Sequence, residues 1–330
     1  MPDDERCPKR MEYGPCGGVR ADLSCEMAPV PCPFAHGGVV PWTGRPAPPA
    51  PALPVARPLV LTDLTVRPFD AGSVRAVAAT LTGSCDAVLV GEHHGRPDFP
   101  PTLMAPLLAA AGVDAWVTLS CRDRNRVVLE QEVSGLAELG VAGVLCVTGD
   151  GRGPGVRPDA TQVFDIDGTR LAAMAADAGL LVAVPEAPDA PPVGLRPARL
   201  REKQRAGAHV AVLNHVGSTA RLAEFTAAAR AAGATLPVVA AVAVYTDERS
   251  AAVLRRFPGL HLDEEEVARV LAAPDPVVAG TEAAVAQARR LLAVDGVVGV
   301  NLSGLAADGD EVAAAGIKAA VGREIRRACA

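Results

Sequence analysis

The stretch DAWVTLSCRDRNRVVLEQEVSGLAELGVAGVLCVTGD, residues 114–150, is where the architecture first shows. It opens on an apolar run, DAWVTLS, passes through a helix-like segment, RNRVVLEQEVSGLAELG, and closes on a second apolar run, AGVLCVTG. The middle segment ends in Gly140, the residue type that helices use at their C-terminal cap. Neither run alternates polar with apolar residues. Strands of that kind are covered on both faces, as in a parallel sheet flanked by helices.

The same unit recurs on either side. Further apolar runs are LVLTDLT (59–65), DAVLVG (86–91), GLLVAVP (179–185), AHVAVLN (208–214), LPVVAAVAV (236–244) and DGVVGVNLS (295–303), which brings the total to eight. Helix-like stretches such as DGTRLAAMAADAG, STARLAEFTAAARAAG and TEAAVAQARRLLAVDG lie between them. Eight strand–helix units predict an α/β fold, a (β/α)8 TIM barrel. An open doubly wound sheet is the alternative that pattern alone leaves standing.

Composition agrees with one large barrel domain. The chain has 330 residues, 49% of them hydrophobic but only 3% aromatic, so the core must be built from Ala, Val and Leu. Lys and Arg number 32 against 38 Asp and Glu, a net charge of −6, which excludes a nucleic-acid backbone as main partner. No apolar run approaches the roughly 20 residues that cross a bilayer, so no membrane partner is expected. The first ten residues, MPDDERCPKR, lack the apolar centre of a signal peptide, and a cytoplasmic location is expected.

Cysteine usage divides the chain. Of eight cysteines, Cys7, Cys16, Cys25 and Cys32 crowd the N-terminus, whereas Cys121 and Cys146 sit at or in apolar runs as small core residues. A dense quartet without a secretory signal reads as a metal site. Residues 1–40 have too little apolar mass to fold unaided, and a metal would supply the missing free energy. The spacing C-x8-C-x8-C-x6-C does not choose between zinc and an iron–sulfur cluster. Residues 41–58, PWTGRPAPPAPALPVARP, carry seven prolines and read as an extended linker. We therefore expect a Cys-rich metal-binding module (1–40), a Pro-rich linker (41–58) and a barrel domain (59–330).

A barrel keeps its active site at the C-terminal ends of its strands. There the sequence places Asp63, the GEHHG of residues 91–95, Thr148–Gly149–Asp150, Glu186, Asn214, His215, Tyr245, Asn301 and Ser303. This rim suits a polar heterocycle and proton handling. GDGRGPG (149–155) is not a Rossmann fingerprint, because its spacing differs and a further loop follows. Adjacent His93 and His94 point in opposite directions on an extended chain and make a poor metal pair. Arg122 and Arg124 stand at a helix start, where the dipole disfavours cations, and this misfit points to contact with an anion.

These segments resemble the methylenetetrahydrofolate reductases. VTLSCRDRNRVVLEQEVSGLAELGVAGVLCVTGD (117–150) is similar to the family's strand ending "HLTC", its helix and its strand ending "RGD". LREKQRAGAHVAVLN (200–214) is similar to its "L..K..AGA" segment, and LPVVAAVAVYTDERSAAVLRRF and GVVGVNLSG to later elements. CPKRMEYGPCGGVRADLSCEMAPVPCPF (7–34) resembles a Cys-rich module that accompanies some members, usually at the C-terminus or on a partner subunit.

The resemblance implies an oxidoreductase of one-carbon metabolism and methionine biosynthesis. It would reduce 5,10-methylenetetrahydrofolate to 5-methyltetrahydrofolate with NADH or NADPH, with or without bound FAD. By position, Asp63 stands for the family's proton donor and Asp150 for the aspartate near the pterin. Asn214 stands for the folate-binding Gln, and His215 and Asn301 complete the substrate side. Lys203, Thr118 and Glu186 fall at cofactor positions, although Thr118 replaces a His, and Val184 a Tyr. Cys7, Cys16, Cys25 and Cys32 would hold zinc or an iron–sulfur cluster. Arg122 and Arg124 would meet a cofactor phosphate or the glutamate tail of the folate. The replaced flavin positions also admit an accessory or electron-transfer subunit with an iron–sulfur module and no turnover of its own. A homo-oligomer or a partner subunit is compatible with either reading.

Overall fold

The computed structural model describes residues 7–46, 48–49, 51, 53, 58–93, 95–153, 155–255, 262–305 and 310–328. All eight apolar runs are strands, and they close into one parallel barrel in sequence order. The first half runs β1 (Leu59–Asp63), α1 (Ala71–Leu81), β2 (Ala87–Val90), α2 (Pro101–Ala109), β3 (Ala115–Ser120), α3 (Arg126–Glu138), β4 (Gly143–Val147) and α4 (Gly168–Asp177). The second half runs β5 (Val182–Glu186), α5 (Arg196–Arg205), β6 (Val210–Leu213), α6 (Thr219–Ala231), β7 (Val238–Val244), α7 (Glu248–Arg255), α8 (Glu264–Leu271), α9 (Pro276–Leu292), β8 (Val297–Gly304) and α10 (Glu311–Ala328). Closure comes from β1 pairing with both β2 and β8, with Leu61 opposite Ala87 on one side and Asn301 on the other.

Alternation along each strand makes two apolar layers. Leu59, Leu61, Leu89, Trp116, Leu145 and Val212 fill the barrel interior. Val60, Val88, Val117, Val144, Val182 and Val242 face the helices and form the larger core. With so few aromatics, the indole of Trp116 is the one ring of the interior layer among the described residues, and Gly143 makes room for it. A Cβ at Gly143 would lie 2.9 Å from that ring.

Local signals set the helix ends. Asp70, Asn125, Asp167 and Ser218 accept hydrogen bonds from backbone N–H groups of the first turns of α1, α3, α4 and α6. Gly140 follows α3 at φ 62°, a conformation that a side chain disfavours. Among the described residues no helix is long and apolar enough to cross a membrane.

Residues 7–46 contain turns and a single bridge, Ser24 with Pro31, and lie against the barrel beside α4 and α5. Tyr13 and Trp42 pack ring to ring at 4.9 Å and bury Ala206. Trp42 also donates its backbone N–H to Glu202 at 2.6 Å. The expected linker is thus anchored at its start, because its one aromatic residue finds an apolar seat. Residues 47, 50, 52 and 54–57 of that linker lie outside the described residues.

Candidate functional site

A cavity of about 410 Å³ opens at the C-terminal mouth of the barrel. The expected residues Asp63, Thr118, Asp150, Glu186, Lys203 and Asn214 all line it, although they come from five different strand–helix units. Asp150 has no protein partner among the described residues, so its carboxylate is available to a ligand. The Gly149 before it is forced. Its φ is 93°, and a Cβ there would lie 2.3 Å from the Ser120 hydroxyl.

Asp63 is oriented from outside the cavity. Asn301 donates its amide to Asp63 Oδ1 at 2.8 Å, and Lys318, buried on α10, donates to the Asp63 carbonyl oxygen at 2.9 Å. Burial holds the Lys318 ammonium below its usual range against the favourable pull of Asp63. Asn301 therefore serves the site through Asp63, not as a wall of the cavity. His215 faces a second cavity of about 330 Å³ between β7, α8 and α9, beside Tyr245 and Glu266. Burial pushes its imidazole down to about 4, and its Nε2 has no hydrogen-bond partner among the described residues.

The β5–α5 side is a buried charge cluster. Lys203 Nζ meets Glu186 at 2.8 Å and also donates to the Pro185 carbonyl oxygen, and Arg196 approaches Glu186 at 3.5 Å. Burial alone would raise the Glu186 pKa, but Lys203, Arg196 and Arg199 outweigh it and hold the carboxyl below its usual range. Burial, followed by the neighbouring arginines, lowers Lys203 against the pull of Glu186.

The N-terminal segment completes the cavity, and nothing in the sequence placed it there. Lys9, Met11, Pro15 and Cys16 form part of the wall. Lys9, 2% exposed, bonds Glu26 at 2.5 Å and the Gly149 carbonyl oxygen at 2.6 Å. Arg196 donates to the Cys16 carbonyl oxygen at 2.9 Å. Glu92, Arg196 and Arg199 are further wall residues beyond those expected to bind or react. Burial raises the Glu92 carboxyl in spite of Arg124 and Arg122. Its signal was the carboxylate in GEHHG; His94 of that motif lies outside the described residues.

The four N-terminal cysteines form no disulfide and lie near one another. Cys25 and Cys32 act electrostatically on Cys7, and Cys7 on Cys16. Burial raises Cys7 and Cys32, and Cys16 to about 11. Cys16 lies 3.6 Å from Glu26, and Cys25 accepts a backbone N–H from Met27. Among the described residues, no three His, Cys, Asp or Glu side chains are arranged to hold a metal ion. As folded, these four side chains are not gathered into one metal-binding set. Cys121 and Cys146 are buried among apolar neighbours, as expected of core residues.

No family model and no curated protein sequence matches the chain. Among solved structures, it is similar to an uncharacterized protein from Clostridium thermocellum that binds two copies of 5-methyl-5,6,7,8-tetrahydrofolic acid. The TM-score is 0.58 at 11% identity, over 82% of this chain and 95% of that one. Ligand-free tryptophan synthase from M. tuberculosis matches at TM-score 0.44 and 17% identity, over 81% of this chain and 94% of that one. A lyase/mutase from Burkholderia cenocepacia matches at 0.44 and 20%, over 83% of each chain. At these identities the first likeness shows the barrel fold and no more.

Proposed function

We propose that the mouth cavity binds a reduced folate and that the chain is a methylenetetrahydrofolate reductase-like oxidoreductase using NADH or NADPH. The observation that carries this reading is the convergence of Asp63, Thr118, Asp150, Glu186, Lys203 and Asn214 on one cavity. The folate ligand of the Clostridium barrel supports the substrate class.

In this reading Asn214, whose amide both donates and accepts, and Asp150 bind the polar edges of the pterin. Ring opening of the substrate leaves a cationic iminium, and the unpartnered Asp150 carboxylate stabilises that charge. The nicotinamide supplies a hydride to the methylene carbon. Asp63, steadied by Asn301, delivers the balancing proton to N10. The N-terminal segment narrows access of water to the mouth. Lys203 is held by Glu186 and the Pro185 carbonyl oxygen, and Val184 offers no polar atom, so this reading takes the hydride directly from the nicotinamide without calling on a resident flavin.

The test is NADH oxidation by the purified chain with 5,10-methylenetetrahydrofolate. Asp150→Asn and Asp63→Asn are each expected to lower kcat by about a hundredfold. Full activity in Asp150→Asn would remove the site assignment. Tight folate binding without turnover by the native chain would remove the reductase reading.

A further inference from the structure

A side annex of about 170 Å³ leaves the mouth between the loops after β2, β3 and β4. It shares Gly91, Glu92, His93, Thr118 and Arg122 with the main cavity, so one ligand can extend from one into the other. Five arginines line it, Arg96, Arg122, Arg124, Arg152 and Arg157, against the carboxylates Glu92, Asp98 and Asp123. The surplus of positive charge stands out in a protein whose net charge is −6.

The pairing within the annex is uneven. Asp123 serves both Arg122, at 2.9 Å, and Arg152, at 2.6 Å. Arg124 is held by Glu92 at 2.6 Å. Asp98 is occupied by the backbone N–H groups of Phe69 and Phe99. Arg157 meets only the solvent-side Asp159, at 3.1 Å, and counting that residue still leaves one positive charge in excess. Arg96 has no carboxylate partner among the described residues. Guanidinium groups present planar forks that match the oxygens of carboxylates and phosphates. Partial withdrawal from water strengthens that attraction.

We propose that this annex is an oxyanion subsite, holding the anionic tail of a ligand whose ring system occupies the mouth. Two sources share that chemistry, the pyrophosphate of a dinucleotide and a glutamate chain attached to a folate. The inference rests on the reading above only for what fills the mouth; the subsite itself is tested without a folate.

The experiment is calorimetric titration of the full chain with two probes, inorganic pyrophosphate and γ-linked triglutamate, at low and at raised salt. At least one probe is expected to bind. Its affinity should fall with salt, and by at least about tenfold in Arg96→Gln/Arg157→Gln, whose side chains stand on exposed loops. Tighter pyrophosphate points to the dinucleotide, and tighter triglutamate to the glutamate chain. Failure of both probes to bind the native chain overturns the proposal. So does unchanged affinity in the folded variant, which would leave the arginines as staples between loops. If the double variant fails to fold, Arg96→Gln, which breaks no ion pair, decides the point. Anion binding without folate binding would sink the folate reading and keep the subsite. Folate binding without anion binding would do the reverse.

Discussion

Lys9→Met probes how the N-terminal segment serves the barrel. The ammonium is 2% exposed, meets Glu26 at 2.5 Å and the Gly149 carbonyl oxygen at 2.6 Å, and stands 5.5 Å above the Phe164 ring. Glu26 in turn accepts the Gly151 N–H at 3.2 Å. Lys9 and Glu26 together clasp the loop that carries Asp150. Methionine keeps the stem and removes two charge-assisted hydrogen bonds, each contributing about 1.5–3 kcal/mol net. Glu26 is 20% exposed and keeps Gly151, so water recovers part of the loss. We expect a net cost of about 3 kcal/mol. For a chain of this length the unfolding entropy is about 0.7 kcal/mol per kelvin, so Tm should fall by about 4 °C in a calorimetric scan. Lys9→Met/Glu26→Gln should recover most of that, because no unpaired carboxylate remains. Folate affinity should weaken in the single variant, since the Asp150 loop loses its clasp. A Tm within about 1 °C of the native value would refute this reasoning, as would a double variant no better than the single.

Three further outcomes follow from the same geometry. Glu186→Gln removes the anion between Lys203 and Arg196 and should cost about 3–5 kcal/mol in denaturant unfolding, partly restored by Lys203→Met; a cost below about 1 kcal/mol would mean that the cluster is hydrated. His215 titrates at about 4 when folded and near 6.5 when unfolded, so the unfolded chain takes up the proton first. Its stabilisation is complete above pH 6.5 and is lost as pH falls toward 4. Native protein should lose about 2 kcal/mol more than His215→Asn between pH 7 and pH 5, and equal losses in urea titrations would contradict the burial argument. Gly299→Ala would set a Cβ 2.4 Å from the Leu59 carbonyl oxygen, at the β1–β8 seam that closes the barrel. A rigid backbone neighbour makes this cost upward of about 3 kcal/mol, visible as lost soluble yield; native yield and Tm would show that the seam gives way.

Period and order in the chain determined the barrel. Each of the eight apolar runs is a strand because a parallel strand covered on both faces needs unbroken Val, Ala and Leu, and Val144 to Cys146 show this as plainly as Val238 to Val244. The starts of α4 and α6 were equally legible, since an Asp or Ser cap acts within three residues of itself. The rim positions followed from strand ends, so Asp63, Asp150, Glu186 and Asn214 could be named before any coordinates. Side-chain direction and long-range contact were not legible. His215 stands just past the mouth-side end of its strand and Asn301 lies within β8 opposite Leu61, yet the first faces another cavity and the second reaches Asp63 instead of the ligand space. Lys9 and Glu26 carry no local signal at all, because their partners lie more than a hundred residues away at Gly149 and Gly151. Cysteine spacing likewise brought four thiols into one region but did not set their geometry, which the packing of residues 7–46 on α4 and α5 decided. Local periodicity is written residue by residue into the sequence; contacts between distant segments depend on how the whole barrel packs, and only the tertiary structure supplies them.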